Sequence, residues 1–366
     1  MQDLFHFNLL AHLIAGLHAP SLRWLRKYTL GRPYRDWPPL SQAKLILGEK
    51  RASIYSAVIA QGQSHIFYAQ AESLVEQLMA ANVSLLTIDD ANYPEILKEI
   101  TDPPEILYVQ GKVTVLKEPQ IAIVGSRNCT PGGIETAYQF AKELALAGIT
   151  VTSGLARGID AAAHRGALDG EGYTAAVMGV GSGRIYPHAN RGLAEQIADQ
   201  GALITEFLPG SAPAKANFPR RNRIIAGLSM GTLVVEATLR SGSLITARQA
   251  LEFDRDVFAI PGSINNPGAR GCHSLIRQGA VLTETVADVL QQVDVLAGSY
   301  LGAKKASQIE LAVDEKSVLN AIGYELNHVD TIQSRCDVTA ANLHEILLNL
   351  ELKGLVCQHG GAYQRL

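Results

Sequence analysis

From residue 83 to about residue 290 the sequence repeats one unit: a short apolar run, a break bearing Gly or Pro, then an amphipathic stretch. The runs fall at 84–88, 106–109, 121–124, 150–152, 175–178, 202–205, 233–235 and 257–260. Several are unbroken Val, Ile and Leu rather than alternating. Strands covered on both faces read this way, because each side of the pleat needs an apolar residue. Helix candidates lie between them at 133–147, 159–168, 189–199, 220–228, 244–253 and 273–278. Repeated strand–helix–strand units predict a parallel sheet with helices on both faces, an α/β, Rossmann-like core.

The flanks differ. Within residues 1–82, Leu10, Leu13, Ile14 and Leu17 recur at helical spacing, and the Pro-rich stretch 31–39 must be a loop. Helical patterns resume around 42–47, 54–61 and 71–80, so a helical domain is expected there. Residues 293–308 show no sustained periodicity and read as a linker. In 309–366, Val318, Leu319 and Ile322 mark one helix and 329–336 a second. Leu343, Ile346, Leu347 and Leu350 mark a third, within 338–350. A strand at 356–357, a turn at His359-Gly360-Gly361 and a strand at 362–366 follow. Three helices and a β-ribbon make the winged-helix pattern. The expected division is thus 1–82, 83–292, a linker at 293–308, and 309–366.

The 366 residues carry a formal net charge of −3, so any contact with nucleic acid must come from a local basic patch. Cys129, Cys272, Cys336 and Cys357 are scattered without a C-x-x-C pair, against a zinc ribbon or a disulfide scaffold. No apolar run approaches the ~18–20 residues of a membrane span. Met1-Gln2-Asp3 lacks the positive start of a signal peptide, and His12 interrupts the apolar stretch behind it. A soluble cytoplasmic protein without membrane contact is expected.

Ligands of open α/β sheets bind beyond the carboxyl ends of the strands. Gly125-Ser126-Arg127 follows the third apolar run, and Ser153-Gly154-Leu155-Ala156-Arg157-Gly158-Ile159-Asp160 the fourth. Gly179-Val180-Gly181-Ser182-Gly183 and Arg240-Ser241-Gly242-Ser243 follow two more. Small residues let backbone N–H groups approach an anion, and a following helix N-terminus adds partial positive charge. The set suggests a phosphate-lined groove with Arg127 at its rim, although glycine also serves simply to make tight turns. The strongest local signal is Lys215-Ala216-Asn217-Phe218-Pro219-Arg220-Arg221-Asn222-Arg223, four cations around one aromatic residue. Lys215, Arg220, Arg221 and Arg223 could track a phosphate backbone while Phe218 offers a face to a base. Pro219 suits the first position of a helix. The plainer alternative is a solvated helix start with Phe218 buried beneath it.

Enzyme readings meet obstacles. Gly227-Leu228-Ser229-Met230-Gly231 fits G-x-S-x-G, but a nucleophile elbow runs strand–turn–helix and here a helix comes first. Gly179, Gly181 and Gly183, with Glu206 ending the next strand, imitate a dinucleotide fingerprint whose third glycine sits one place early. No P-loop and no H-E-x-x-H is present. A Rossmann-like nucleotide hydrolase of the lysine decarboxylase-like kind is the better enzyme alternative. Its P-G-G-x-G-T-x-x-E loop is matched only in part, by Pro131-Gly132-Gly133 and separately by Gly231-Thr232 with Glu236. That glutamate could instead cap the helix around Leu244. The third C-terminal helix has neither Arg nor Lys and carries Glu345, against sequence-specific duplex reading. A protein contact or a structural appendage suits it better.

In this order the motifs resemble the DNA-processing protein A (DprA, also Smf) family. They are Val124-Gly125-Ser126-Arg127, Ser153-Gly154-Leu155-Ala156 through Gly158-Ile159-Asp160, and Ile185-Tyr186-Pro187. Asn217-Phe218-Pro219-Arg220-Arg221-Asn222-Arg223 and Gly231-Thr232-Leu233-Val234-Val235-Glu236-Ala237 follow. Ser241-Gly242-Ser243-Leu244-Ile245-Thr246-Ala247, Pro261-Gly262 and Leu275-Ile276 complete the set. The match runs across residues 83–290, while the flanks agree in architecture: a sterile-alpha-motif-like front and a winged-helix tail. The resemblance implies a non-enzymatic protein without cofactor or metal. It would bind single-stranded DNA, help load RecA during natural transformation, and dimerise through its Rossmann-like domain. It places the DNA pocket on Gly125, Ser126, Arg127, Lys215, Asn217, Phe218 and Arg221. Asp254-Arg255 departs from the family's usual Gly before a basic residue, so Arg255 is left out of the expected site.

Overall fold

The computed structural model describes residues 2–292, 313–322, 327–336, 338–353, 355–359 and 362–365. They fall into two compact units, Met1–Val289 and Leu290–Leu366.

Four helices open the first unit: α1 (Gln2–Ala15), α2 (Ala19–Thr29), α3 (Leu40–Gln61) and α4 (Ile66–Ala80). Gly48, with φ +72° and ψ 164°, bends α3, so the two patterns at 42–47 and 54–61 lie on one broken helix. Leu10, Ile14, Leu25, Tyr55 and Leu78 form the core of these helices. Both tryptophans of the chain join it. Trp37 stacks on Tyr55 at 5.6 Å between ring centres, and Trp24 leans on the same ring at 5.8 Å. The core continues into the sheet, where Val83, Leu85, Ile106 and Tyr108 complete it.

The central sheet has nine strands in the order β1-β2-β6-β5-β4-β3-β7-β8-β9. They are β1 (Val83–Thr87), β2 (Ile106–Gly111), β3 (Gln120–Gly125), β4 (Thr150–Ser153), β5 (Thr174–Val177), β6 (Ala202–Thr205), β7 (Gly231–Val235), β8 (Asp256–Ala259) and β9 (Val281–Leu282). Each of the eight apolar runs became a strand. From β6 across to β9 every pairing is parallel. β1 and β2 pair antiparallel, and β2 pairs antiparallel with β6, so the sheet is mixed rather than parallel throughout. Parallel neighbours need a crossover of a dozen or more residues, usually helical. The segment between β1 and β2 holds only the one-turn helix α5 (Glu95–Lys98), and the chain folds back. The crossovers elsewhere are α6 (Pro131–Leu146), α7 (Ile159–Asp169), α8 (Arg191–Gln200), α9 (Asn217–Leu228), α10 (Ser243–Glu252) and α11 (Arg270–Arg277). From β3 the order proceeds one way through β4, β5 and β6, and the other way through β7, β8 and β9. The gap between the loops after β3 and β7 is therefore the topological switch point, where such sheets hold ligands.

The second unit contains α12 (Val313–Ile322), β10 (Asn327–His328), α13 (Val329–Gln333), α14 (Ala340–Leu352), β11 (Val356–His359) and β12 (Ala362–Arg365). Val318, Ile322, Leu343, Leu347, Leu350 and Tyr363 make its core. The strands pair in the order β10-β12-β11. This is the winged-helix arrangement, with a two-residue β10 that no sequence pattern announces. The linker expected at 293–308, and Gly360 and Gly361 of the turn, lie outside the described residues.

Candidate functional site

At the switch point a groove of about 740 Å³ is lined by Gly125, Ser126 and Arg127, by Lys215, Phe218 and Arg221, and by the small residues around Ser241. The β3 loop can enter it because Gly125 has no side chain. A Cβ there would stand 2.3 Å from the Val235 carbonyl oxygen and 2.6 Å from Ile159. The Ser126 N–H donates to the Glu236 carbonyl at 2.8 Å, which ties the β3 loop to the β7 loop. Arg127 extends from this loop and is exposed.

α9 begins at Asn217, so Pro219 stands third in the helix rather than first. Its missing N–H is harmless there too, since the first turn's N–H groups have no helical partner. Asn217 Nδ2 donates to the Gly179 carbonyl at 3.2 Å. Phe218 is half-buried against Gly179, where a Cβ would meet its ring at 2.9 Å. The other side of the ring faces the groove. The Arg127 guanidinium carbon lies 5.5 Å from its centre, a cation–π distance, and the exposed Tyr186 ring is tilted against it at 5.5 Å. Two aromatic rings and a cation thus meet at the groove wall, with exposed Lys215 beside them.

Arg221 lines the base of the groove but is buried. Its Nη1 donates to the Gly154 carbonyl at 2.6 Å and to the Val177 carbonyl. Gly154 is required here, since any Cβ would fall 2.2 Å from the guanidinium. Burial lowers the Arg221 pKa to about 10, with Asp160 opposing the shift. Burial likewise raises the Asp160 carboxyl, opposed by Arg221 and by the N–H groups of Ala156 and Gly154. Arg221 therefore shapes the groove and gives it positive potential, with Nη1 committed to backbone and Nε donating to the Asn222 Oδ1 at 2.9 Å.

Three of the expected site residues do not line the groove: Asn217, which is spent on the Gly179 carbonyl, and Arg220 and Arg223. Arg220 Nε donates to buried Glu206 at 3.1 Å, and its Nη2 to the Leu17 carbonyl at 2.6 Å. Arg223 pairs with the other oxygen of Glu206 and stands 3.5 Å from Asp102. The physical reason is helical phase: at 100° per residue a run of arginines cannot share one face. Asn217, Phe218, Arg221 and Asn222 point one way, Arg220 and Arg223 another. Arg255, left out of the expected site, pairs with Glu99.

The enzyme motifs resolve into structure. Ser229 is buried and donates to the Ile225 carbonyl at 2.9 Å. Glu206, the apparent ribose acid, is taken by two arginines. Glu236 does not cap α10. Its carboxylate accepts the Thr130 N–H at 2.9 Å and the Thr130 hydroxyl, holding the loop before α6. Among the described residues no group of His, Cys, Asp or Glu could hold a metal ion, and no helix is long and apolar enough to cross a membrane.

Sequence reasoning gave no site role to Tyr186, Asn222 or Thr246, which also line the groove. For Asn222 the signal was available, one turn along α9 from Phe218. Tyr186 stands in the Ile185-Tyr186-Pro187 motif, but nothing in the sequence pairs it with a ring 32 positions away.

A family model described as DNA recombination-mediator protein A matches residues 84–294, and one described as DprA winged helix domain matches 302–362. Protein Smf of Escherichia coli (strain K12) is 42% identical over 301 residues, 81% of this chain and 80% of that protein. DNA processing protein DprA of Streptococcus pneumoniae (strain ATCC BAA-255 / R6) is 46% identical over 211 residues, 58% of this chain and 74% of that one. The X-ray structure of DNA processing protein A from Streptococcus pneumoniae aligns with a TM-score of 0.66 at 36% identity, covering 78% of this chain and 97% of that one. A structure of DNA processing protein A from Helicobacter pylori, solved for its single-stranded DNA binding mode, aligns at 0.53 and 30% identity, covering 60% of this chain and 97% of that one.

Proposed function

The chain belongs to the DNA recombination-mediator protein A family, that of the DprA and Smf proteins, and from this premise we propose that the groove at the switch point holds single-stranded DNA. The observation that carries the reading is the meeting of Arg127, Phe218 and Tyr186 at one wall. A splayed base can stack on a ring face, which a closed duplex does not present. Its phosphate then lies toward Arg127, Lys215 and the Ser126 hydroxyl. Gly125, Ser126, Arg127, Lys215 and Phe218 are the proposed contacts. Asn217 and Arg221 hold the wall in place.

The protein acts as a binding module rather than an enzyme. It delivers the bound strand to RecA in transformation and recombination, and it works as a homodimer through the sheet-bearing unit. Two linked grooves would raise the affinity for one strand by effective concentration. The family description as a recombination mediator supports the RecA role.

Electrophoretic shifts on single-stranded and duplex DNA of one sequence, with and without nucleotide, test the reading. Preference for the single strand with no nucleotide turnover is expected. Hydrolysis of a nucleoside monophosphate, or equal affinity for duplex, would overturn it. For the mediator role, RecA ATPase should start sooner on strands precoated with single-strand-binding protein.

A further inference from the structure

A second basic cleft, about 430 Å³, lies between α2 and the β1–β2 end of the sheet. It is lined by Arg23, Arg26, Lys27 and Arg32, with Asp89 and Glu105 as the only carboxylates. Glu105 is fully buried and is held by Arg23 at 2.6 Å and by Arg26 at 3.0 Å. Arg26, itself buried, also donates to Asn8 at 3.0 Å and to exposed Asp89 at 2.8 Å. These bonds fix the cleft's shape and neutralise its carboxylates. Lys27 and Arg32 are exposed, and neither has an ion-pair partner among the described residues. Lys27 rests over the Tyr28 ring at 5.3 Å.

The sheet register says where this cleft stands. β2 runs antiparallel to β6, with Tyr108 opposite Thr205, and β1 antiparallel to β2, with Thr87 opposite Ile106. The end of β1 and the start of β2 therefore lie on the edge to which β3, β4, β5 and β6 point their carboxyl ends. Asp89 and Glu105 stand just beyond that edge, as Arg127 does beyond β3. Five inter-strand steps separate β3 from β1 in the sheet order, about 24 Å at ~4.8 Å each.

We propose that the α2 cleft is a second phosphate subsite for the same single strand. The strand leaves the Phe218 groove and runs along the sheet edge until its backbone meets Lys27 and Arg32. The inference rests on the reading of the groove given above. It adds a sequence-blind contact: the cleft offers cations and no free aromatic face, so it takes phosphodiesters without regard to base.

The test is the full chain with Lys27→Gln and Arg32→Gln together, titrated with oligothymidylates of about 4 and about 20 nucleotides, the shorter filling one groove and the longer spanning both sites. Melting curves accompany each protein. The unaltered protein should bind the longer strand with the steeper salt dependence. The double variant should bind the short strand as the unaltered protein does. On the long strand it should lose affinity, and its slope of log affinity against log salt should fall by about 1.4, or ~0.7 for each phosphate contact removed. Unchanged affinity and slope on the long strand would overturn the subsite. So would an equal loss on both lengths, which would place the effect at the groove or in the fold. If the unaltered protein binds neither length, the groove reading fails and this one with it. Binding of the short strand that Arg127→Ala abolishes, with no effect of the double variant at either length, keeps the groove and removes only the cleft.

Discussion

Arg127 and Phe218 touch each other, yet they should fail differently when removed. Arg127→Ala loses a charge-assisted phosphate contact, so affinity should drop by about 1.5–3 kcal/mol and the salt slope should flatten by ~0.7. Phe218→Ala loses stacking worth roughly 1–3 kcal/mol and releases no counterions, so its slope should stay near that of the unaltered protein. Titrations at three salt concentrations separate the two. Matching slopes would contradict the division of labour, and a Phe218→Ala protein that melts far lower yet binds normally would make the ring structural. A second residue-scale effect lies behind the groove. His164 is buried with its Nδ1 2.7 Å from the Thr174 hydroxyl and its Nε2 unpartnered. Burial, and then the charge of Arg221, lowers its pKa to about 3 from the ordinary 6.5. Above pH 6.5 the imidazole is neutral in both folded and unfolded chains, and its burial carries no pH dependence. Below it the unfolded chain takes a proton that the folded one refuses, so stability falls as pH drops toward 3. His164→Asn should reduce that acid slope by up to about 1.4 kcal/mol per pH unit, read as urea midpoints at pH 7 and 5. An unchanged slope would mean the ring is protonated in the fold.

α9 is the element on which the site turns, and Arg221 is what seats it. The side chain bonds carbonyls at the ends of β4 and β5, and the buried Asp160 carboxyl lies in its field. Arg221→Ala would strand two carbonyls and leave that carboxyl without its cation, a loss of about 3–5 kcal/mol. We expect a lower melting temperature first, with weaker binding as a consequence, and a salt slope unchanged in whatever protein remains folded. A flattened slope would mean that Arg221 meets phosphate directly. The strands were legible because burial on both faces leaves short apolar runs, each closed by Gly, Pro or a polar break. β9 and β10, two residues each, are too short to leave a pattern. Strand direction at β1 and β2 was hidden for another reason: it depends on the connection, and the amphipathic stretch there shrank to one turn. The loops of the site could be read because several of them, each rich in Gly and Ser, fall after strands on one edge, whereas a single such loop would serve as well for a tight turn. The arginine cluster could be read as basic but not as a site, because its phase around α9 divides it between the groove and Glu206.

At the scale of the molecule, the two units carry separate cores. α14, which would enter a DNA groove in a winged helix, exposes His344, Glu345 and Leu348 and has no Arg or Lys. Deleting residues 309–366 should therefore leave single-strand affinity within about threefold, or ~0.7 kcal/mol. A folded, truncated protein that has lost most of its affinity would reassign the tail as a DNA contact. The first unit behaves otherwise, because its helices and sheet share one core. Trp24 on α2 and Trp37 on the connection between α2 and α3, the chain's two indoles, both lie in the helical core against the same tyrosine. The molecule thus carries its own optical label, confined to the helical part of the first unit. Emission from these indoles follows the helices alone, while far-ultraviolet dichroism follows helices and sheet together. If the shared core makes the two a single cooperative body, the fluorescence and the dichroism will lose half their signal at the same urea concentration. Indoles that go dark early would reveal helices able to come away while the sheet keeps its form.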